Sequence, residues 1–151
     1  MGENKETKLT IELVPETCWY SNVRSEVSKE DWDIIRKDVY KKAGYKCEIC
    51  GGVGPKWPVE CHEIWDYSDD DLIQKLTGMI ALCPDCHTVK HPGLANIKGR
   101  GHVVIEQLME VNEWEYWVAQ NYVKAAFDVW EKRSKKQWIL DISYLQEYLD
   151  K

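Results

Sequence analysis

The stretch that decides the fold spans residues 47–91 and holds three short runs: Cys47-Glu48-Ile49-Cys50, Cys61-His62-Glu63-Ile64-Trp65, and Cys83-Pro84-Asp85-Cys86-His87 followed by His91. Two of these runs are C-x-x-C pairs. That spacing lets a tight turn bring both sulfurs of a pair to one tetrahedral ion, at about 2.3 Å from the metal. We therefore predict a structural zinc bound by four cysteines, Cys47, Cys50, Cys83 and Cys86.

The same stretch contains a second group of candidate metal ligands, His62, His87 and His91. A site with few histidine ligands leaves coordination positions open to water or substrate, which is typical of catalytic rather than structural metals. His87 and His91 are four residues apart, so a helix over 84–90 brings them to one face. We predict that the three histidines bind a second divalent ion, either Mg²⁺, Mn²⁺, Ni²⁺ or Zn²⁺. The alternative is that they are ordinary polar residues.

Length and composition limit the class of protein. The 151 residues suit one domain, and no apolar run approaches the ~18 residues that a membrane span needs. The first eight residues, MGENKETK, contain no apolar segment that could act as a secretory signal. We therefore expect a cytoplasmic protein with no membrane contact. In a reducing compartment C-x-x-C pairs favour metal over disulfides, which leaves Cys18 and Cys61 outside the zinc site.

The charge distribution argues against indiscriminate nucleic-acid binding. The chain has a formal net charge of −6, and residues 47–91 carry three basic and eight acidic side chains. DNA contacts must therefore come from local basic groups. The candidates closest in sequence to the histidines are Lys90, Lys98 and Arg100. The run from Lys132 to Lys136 is more typical of a solvated helix end.

Periodicity predicts a largely helical chain around a short hairpin. The expected helices cover residues 29–43, 84–90 and 101–111, with another beginning at Asn112 and a last short one near Ser143. The expected strands cover 57–65 and 79–82, with a further strand over 9–14 and a helical turn over 72–76. In the helix that begins at Asn112, the residues expected to face the core are Trp117, Asn121, Ala125 and Val129.

Together, the runs at 47–50, 60–64 and 82–91 resemble the HNH endonucleases that carry a four-cysteine zinc. The resemblance implies an α+β fold, mainly helical, with a central ββα-metal module flanked by N- and C-terminal helices. It divides a single domain, 1–151, into an arm and helix over 1–46, the zinc-bound module over 47–92 and helices over 93–151. By position, His62 matches the metal ligand of the first strand, and His87 and His91 match the ligands of the helix.

The function that this resemblance implies is metal-dependent hydrolysis of phosphodiester bonds in double-stranded DNA. Two positions depart from the family pattern. Glu63 stands where the family has its base histidine, and Gly78 stands where it has an asparagine. Glu63 is the first choice for the general base, although consecutive strand residues point to opposite faces. Beside a metal ligand, Glu63 is equally a candidate to bind the metal itself or to support one of the histidines. His62 is the second choice, and in that register Cys61 occupies the ligand position.

Two other functions stay open. A catalytically silent descendant of an HNH module would be a zinc-stabilised scaffold that binds a protein or a nucleic acid, and the changes at Glu63 and Gly78 favour it. The three histidines favour the enzyme. A hydrolase of a smaller phosphodiester is the third candidate. The aromatic residue considered for base stacking is Trp65, which follows the site directly in sequence.

Overall fold

In the computed structural model, residues 7–18 and 23–149 are described. Their elements are helices α1 (Val23–Glu26), α2 (Lys29–Lys42), α3 (Pro84–Lys90), α4 (Pro92–Ile97), α5 (Gly101–Asn112), α6 (Tyr116–Arg133) and α7 (Gln146–Leu149), with strands β1 (Glu60–Ser68), β2 (Ile73–Leu82) and β3 (Ile139–Asp141). Single 3-10 turns lie at Glu16–Cys18 and Ser143–Leu145. The architecture is α+β, and a ββα unit formed by β1, β2 and α3 is flanked by helices on both sides in sequence, as predicted.

The hairpin of β1 and β2 is the centre of the sheet and is longer than the sequence suggested. The two strands are antiparallel, with Glu60 paired to Leu82 and Ser68 to Ile73, and β3 joins β2 in parallel. The helical turn expected at 72–76 is wrong. Leu72 adopts φ 57° and donates its N–H to Ser68 O, which closes the loop and lets β2 begin at Ile73. The part of the expected first strand before Glu60 is also wrong.

The strand predicted for residues 9–14 is wrong, although its apolar residues are buried. Leu9 N–H and Lys8 N–H donate to Asn112 Oδ1, and Asn112 Nδ2 donates back to Leu9 O at 2.9 Å. Ile11 N–H donates to the Tyr122 hydroxyl. Side chains of α5 and α6 therefore satisfy this backbone, and it needs no neighbouring strand.

The helices after α3 differ from the predicted pattern in two places. No helix was expected between residues 90 and 101, but Pro92 occupies the first turn of α4, where its missing N–H costs nothing. Asn112 ends α5 instead of starting the next helix, and α6 begins at Tyr116. The face of α6 expected in the core is exposed, with Trp117 60% and Val129 45% accessible, whereas Ala119 is fully buried.

Two apolar clusters hold the sheet and helices together. One surrounds α3 and α5 and includes Leu82, Val89, Val104 and Leu108. The other packs the far half of the hairpin against α2 and the C-terminal segment through Ile35, Trp65, Leu76 and Leu145. The start of α3, with Cys83 and Cys86, therefore packs in the first of these two clusters. Within residues 7–18 and 23–149, none of the helices has the length and hydropathy needed to cross a membrane.

Candidate metal centre

The four cysteines of the two C-x-x-C pairs converge as the sequence predicted. We call Cys47, Cys50, Cys83 and Cys86 the cysteine cluster, and their sulfurs all lie within 4.8 Å of one another. Cys50 Sγ and Cys83 Sγ are 3.6 Å apart. Three of the four are buried, and only Cys50 is exposed. Four sulfurs at this spacing match the donor set of a closed tetrahedral zinc site.

Backbone and side-chain N–H groups point at these sulfurs. Cys50 N–H donates to Cys47 Sγ, Gly52 N–H to Cys50 Sγ and Cys86 N–H to Cys83 Sγ, at 3.4–3.5 Å. Gln107 on α5 donates its Nε2–H to Cys86 Sγ at 3.3 Å. Such hydrogen bonds stabilise thiolates, so the cysteine cluster is suited to bind a cation.

The thiols strongly influence one another's ionisation. A hydrogen bond with Cys86 lowers the pKa of the Cys47 thiol to about 4, and the same contact together with burial raises the pKa of Cys86. Burial raises the pKa of Cys83 to about 11. One thiolate therefore opposes ionisation of its neighbours, and full ionisation of the cluster requires a positive ion among the sulfurs.

Local structure explains how each pair reaches its position. The first pair lies in a turn in which Cys47 N–H donates to Gly52 O and Gly51 adopts φ 77°. Glu48 fastens that turn to β2, because Glu48 Oε2 accepts from Ala81 N–H at 2.7 Å. The second pair begins α3, where Cys83 is the N-cap and Pro84 occupies the first turn.

The three predicted histidines also converge. We call His62, His87 and His91 the histidine cluster, and one ring nitrogen of each lies within 4.8 Å of the others. His87 Nε2 and His91 Nε2 are 3.3 Å apart. His62 comes from β1, and the other two come from α3 and the residue that ends it. His91 is exposed, so the histidine cluster is open to solvent on that side.

Two of these rings are neutral over the physiological pH range. Burial, reinforced by the neighbouring histidines, lowers the pKa of His62 to about 2. Desolvation lowers the pKa of His91 to about 4, and the charge of His87 adds to the effect. Neutral imidazoles present the lone pair that a metal ion needs, so the histidine cluster can bind a divalent ion.

A carboxylate that the sequence reasoning missed touches this cluster. Glu60 Oε2 is hydrogen-bonded to His87 Nδ1, and Glu60 Oε1 accepts from Trp57 Nε1–H at 2.8 Å. Burial acts to raise the pKa of Glu60, but the hydrogen bonds from His87 and Trp57 outweigh it and lower the pKa below its ordinary value. The signal was present in the sequence, because Glu60 lies two residues before His62 and therefore on the same strand face.

The structure does not bring Glu63 to the histidine cluster. Its Oε2 accepts from the backbone N–H of Val23 at 3.3 Å, and burial raises its pKa. Cys61 lies on the same face of β1 as Glu63, and burial raises the pKa of its thiol to about 12. Neither residue belongs to the described groups of candidate ligands. Gly78 pairs with Ile64, and a Cβ there would meet only Ile64 Cδ1 at 3.5 Å.

The predicted DNA-binding residues fall into two groups. Lys90 is 7% exposed, and its Nζ donates to Thr10 O at 2.6 Å and to Glu12 Oε2 at 3.1 Å. Its ammonium group is therefore bound by the N-terminal segment. Lys98 and Arg100 are exposed, and Arg100 lies 3.7 Å from Asp85. Trp65 is buried in the second core and has no face available for a base, whereas Trp57 is 50% exposed.

No family model matches the sequence, no curated protein matches it, and no solved structure matches its fold. The chemistry of the two clusters therefore carries the functional argument.

Proposed function

We propose that this protein is a metal-dependent endonuclease of the HNH type that hydrolyses phosphodiester bonds in DNA. The observation that carries the proposal is the convergence of His62 from β1 with His87 from α3 and with His91, the residue that ends α3. Cys83 is the N-cap of the same helix and Cys86 lies in its first turn, so one short element serves both clusters. A hairpin and a helix around three histidines, beside four cysteines, is the arrangement that the family resemblance implies.

The donor atoms favour some ions over others. Three imidazoles suit nickel and zinc, whereas magnesium prefers oxygen ligands. His62, His87 and His91 would hold the ion, with Cys47, Cys50, Cys83 and Cys86 holding the structural zinc. When bound, the ion at the histidines supplies Lewis-acid stabilisation of the charge on the phosphate and the leaving oxygen.

The chain's own residues would bind and orient the nucleic acid. His91 is exposed, so a phosphate can approach the histidine cluster from that side. Lys98 and Arg100 follow the site helix closely and are exposed, which suits them to phosphates on either side of the scissile bond. Trp57 takes the stacking role first considered for Trp65, because its indole is accessible and bonded to Glu60 beside His87.

One observation favours a second candidate function, a catalytically silent module that binds DNA or a protein. Glu63, the first choice for the general base, is bonded to the Val23 backbone on the face of β1 away from the histidines. A nuclease needs a group within hydrogen-bond reach of the attacking water. His62 stays as the alternative base, in competition with its role as a ligand.

The test is nicking of supercoiled plasmid by the zinc-loaded protein with Ni²⁺, Mn²⁺ or Mg²⁺ added. We expect cutting that depends on the added ion, is strongest with Ni²⁺ and is lost in His62→Ala. His102→Ala is the matched control, because His102 is the remaining histidine of the chain and is exposed on α5 outside the cluster. That variant should cut like the wild type.

Parallel substrates separate the candidates. Single-stranded DNA, RNA and bis(p-nitrophenyl) phosphate are assayed under the same conditions as the plasmid. Cleavage of the small diester alone would favour the third function, a hydrolase of smaller phosphodiesters. Absence of cleavage of every substrate, by protein shown to bind Ni²⁺ at the histidine cluster, would reject the enzyme and leave the silent module.

A further inference from the structure

Glu60 contacts two different elements of the site at once. One carboxylate oxygen, Oε1, accepts from Trp57 Nε1–H at 2.8 Å, and the other, Oε2, is hydrogen-bonded to His87 Nδ1. Both residues of the Glu60–His87 contact are partly shielded, with side chains 30% and 23% exposed. Since both oxygens are engaged, Glu60 is not placed to coordinate an ion directly.

The contact with Nδ1 decides which nitrogen of His87 can bind a metal. A neutral imidazole carries one N–H, so a proton donated from Nδ1 to a carboxylate leaves the lone pair on Nε2. His87 Nε2 is the atom that lies 3.3 Å from His91 Nε2, within the histidine cluster. The tautomer selected by Glu60 is therefore the one that turns its lone pair toward the other two histidines.

We propose that Glu60 is the positioning residue of the histidine site: it holds His87 as the Nδ1–H tautomer and fixes the ring so that Nε2 faces the ion. Carboxylates that accept from the second nitrogen of a ligating histidine both orient the ring and raise its basicity. The inference rests on the metal site of the proposed function, and it holds whether or not that site cuts DNA.

Trp57 keeps the Glu60 carboxylate in place. The loop before β1 is closed by a hydrogen bond from Gly54 N–H to Pro58 O. Gly54 has no room for a side chain, because a Cβ there would lie 2.4 Å from Trp57 O and 2.7 Å from the Pro84 ring. The loop is thereby packed on the start of α3, and the Trp57 indole restrains Glu60 through Oε1, the oxygen that does not contact His87.

The experiment compares Glu60→Ala and Glu60→Gln with the wild type, all carrying the cysteine zinc. Long-range ¹H–¹⁵N correlation spectra report the tautomer of His87 before any second ion is added, and titration calorimetry with Ni²⁺ reports the affinity of the histidine cluster. Asp66→Asn is the matched control, since Asp66 is an exposed carboxylate on the same strand and outside the cluster. Zinc content is measured for every variant.

We expect the wild type to show His87 with its proton on Nδ1. Glu60→Ala should mix the two tautomers and weaken Ni²⁺ binding by about 10- to 100-fold, with zinc content unchanged. Glu60→Gln, whose amide oxygen can still accept from Nδ1–H, should keep the tautomer and most of the affinity. Asp66→Asn should change neither measurement.

Several results would overturn the proposal. His87 protonated on Nε2 in the wild type would contradict the assigned tautomer, and an unchanged tautomer in Glu60→Ala would remove Glu60 from the account. Loss of zinc from both Glu60 variants would show a role in folding instead. If the wild type binds no Ni²⁺, the metal site of the proposed function fails, and the spectra alone decide whether Glu60 holds His87.

Discussion

The two candidate metal-ligand clusters meet at one seven-residue helix, α3. They differ in burial, in the groups that support their ligands and in access to solvent. The cysteine cluster is anchored at the start of α3, has three buried members and receives N–H bonds from its own turns and from Gln107. The histidine cluster joins His62 on β1 to His87 on α3 and to the exposed His91 that ends this helix, and the Glu60 carboxylate contacts its His87 ring.

This difference indicates that the two clusters have different roles. A zinc ion held among mostly buried sulfurs and backbone donors would contribute to folding rather than contact a substrate. A site with three imidazoles and one open side has room for a further ligand. Because Cys86 and His87 are adjacent on α3, an ion bound by the cysteines would also hold the histidine cluster in position.

The largest effect is expected from Cys86→Ser, which removes one ligand of the cysteine cluster. A structural zinc supplies about 10–16 kcal/mol of apparent binding free energy, which is comparable to the whole stability of a domain this size. We expect the variant to lose zinc and cooperative unfolding, measured by elemental analysis and circular dichroism. Cys61→Ser is the control and should keep both, because Cys61 is a neutral thiol outside the cysteine cluster. A cooperatively folded, zinc-free Cys86→Ser protein would contradict the structural role.

Brief treatment with EDTA should separate the clusters without mutation. We expect an ion bound at the exposed histidine cluster to be removed within minutes, with loss of ion-dependent cutting. The zinc should stay, because its ligands are mostly buried. The measurements are metal content after gel filtration and the far-ultraviolet spectrum. Simultaneous loss of both ions, with unfolding, would show that the two clusters are not independent.

Gln107→Ala probes the support of the cysteine cluster alone. The variant removes the side-chain N–H that reaches Cys86 Sγ at 3.3 Å. Loss of such a supporting donor costs about tenfold in metal affinity at the lower end of the usual range. Competition with a chromogenic chelator measures it, and Ni²⁺ binding at the histidines should be unchanged. Equal weakening at both clusters would argue for one coupled site.

Glu63→Gln should have the smallest effect, and its result decides between two descriptions of the base. Because Glu63 is bonded to Val23 N–H away from the histidines, we expect cutting close to the wild-type rate. A fall of about 10²-fold or more would establish Glu63 as the general base, since an amide cannot accept the water proton. For the same geometric reason, Glu63→His should give no gain in cutting.

The sequence predicted the parts of this molecule that short spacing determines. Two C-x-x-C pairs and histidines four apart constrain their own backbone, so α3 and the ligands that it carries followed from the spacing, whereas His62 was matched through the family resemblance. Glu60 could have been found by strand alternation alone. The face of α6 was predicted wrongly, because periodicity marks apolar residues and does not tell which side a neighbouring helix covers.

Other errors depend on long-range contacts. The segment over 9–14 is held by Asn112 and Tyr122, which are more than a hundred residues away. Lys90 was considered for DNA, but that same segment supplies its partners Thr10 and Glu12. No local pattern could have shown either contact. Local sequence could not predict the positive φ of Leu72 either, after which the chain forms a strand instead of the expected helical turn.

The most direct test of the account is a crystal of the zinc-loaded protein soaked in Mn²⁺, with anomalous data collected at the absorption edges of both metals. We predict two separate peaks, one for zinc among the four cysteine sulfurs and one for manganese among His62, His87 and His91. Each ligating histidine nitrogen should lie about 2.0–2.3 Å from the second peak. Histidine rings with no anomalous density between them, in crystals whose cysteine cluster holds zinc, would contradict the central claim that the open cluster is a second metal site.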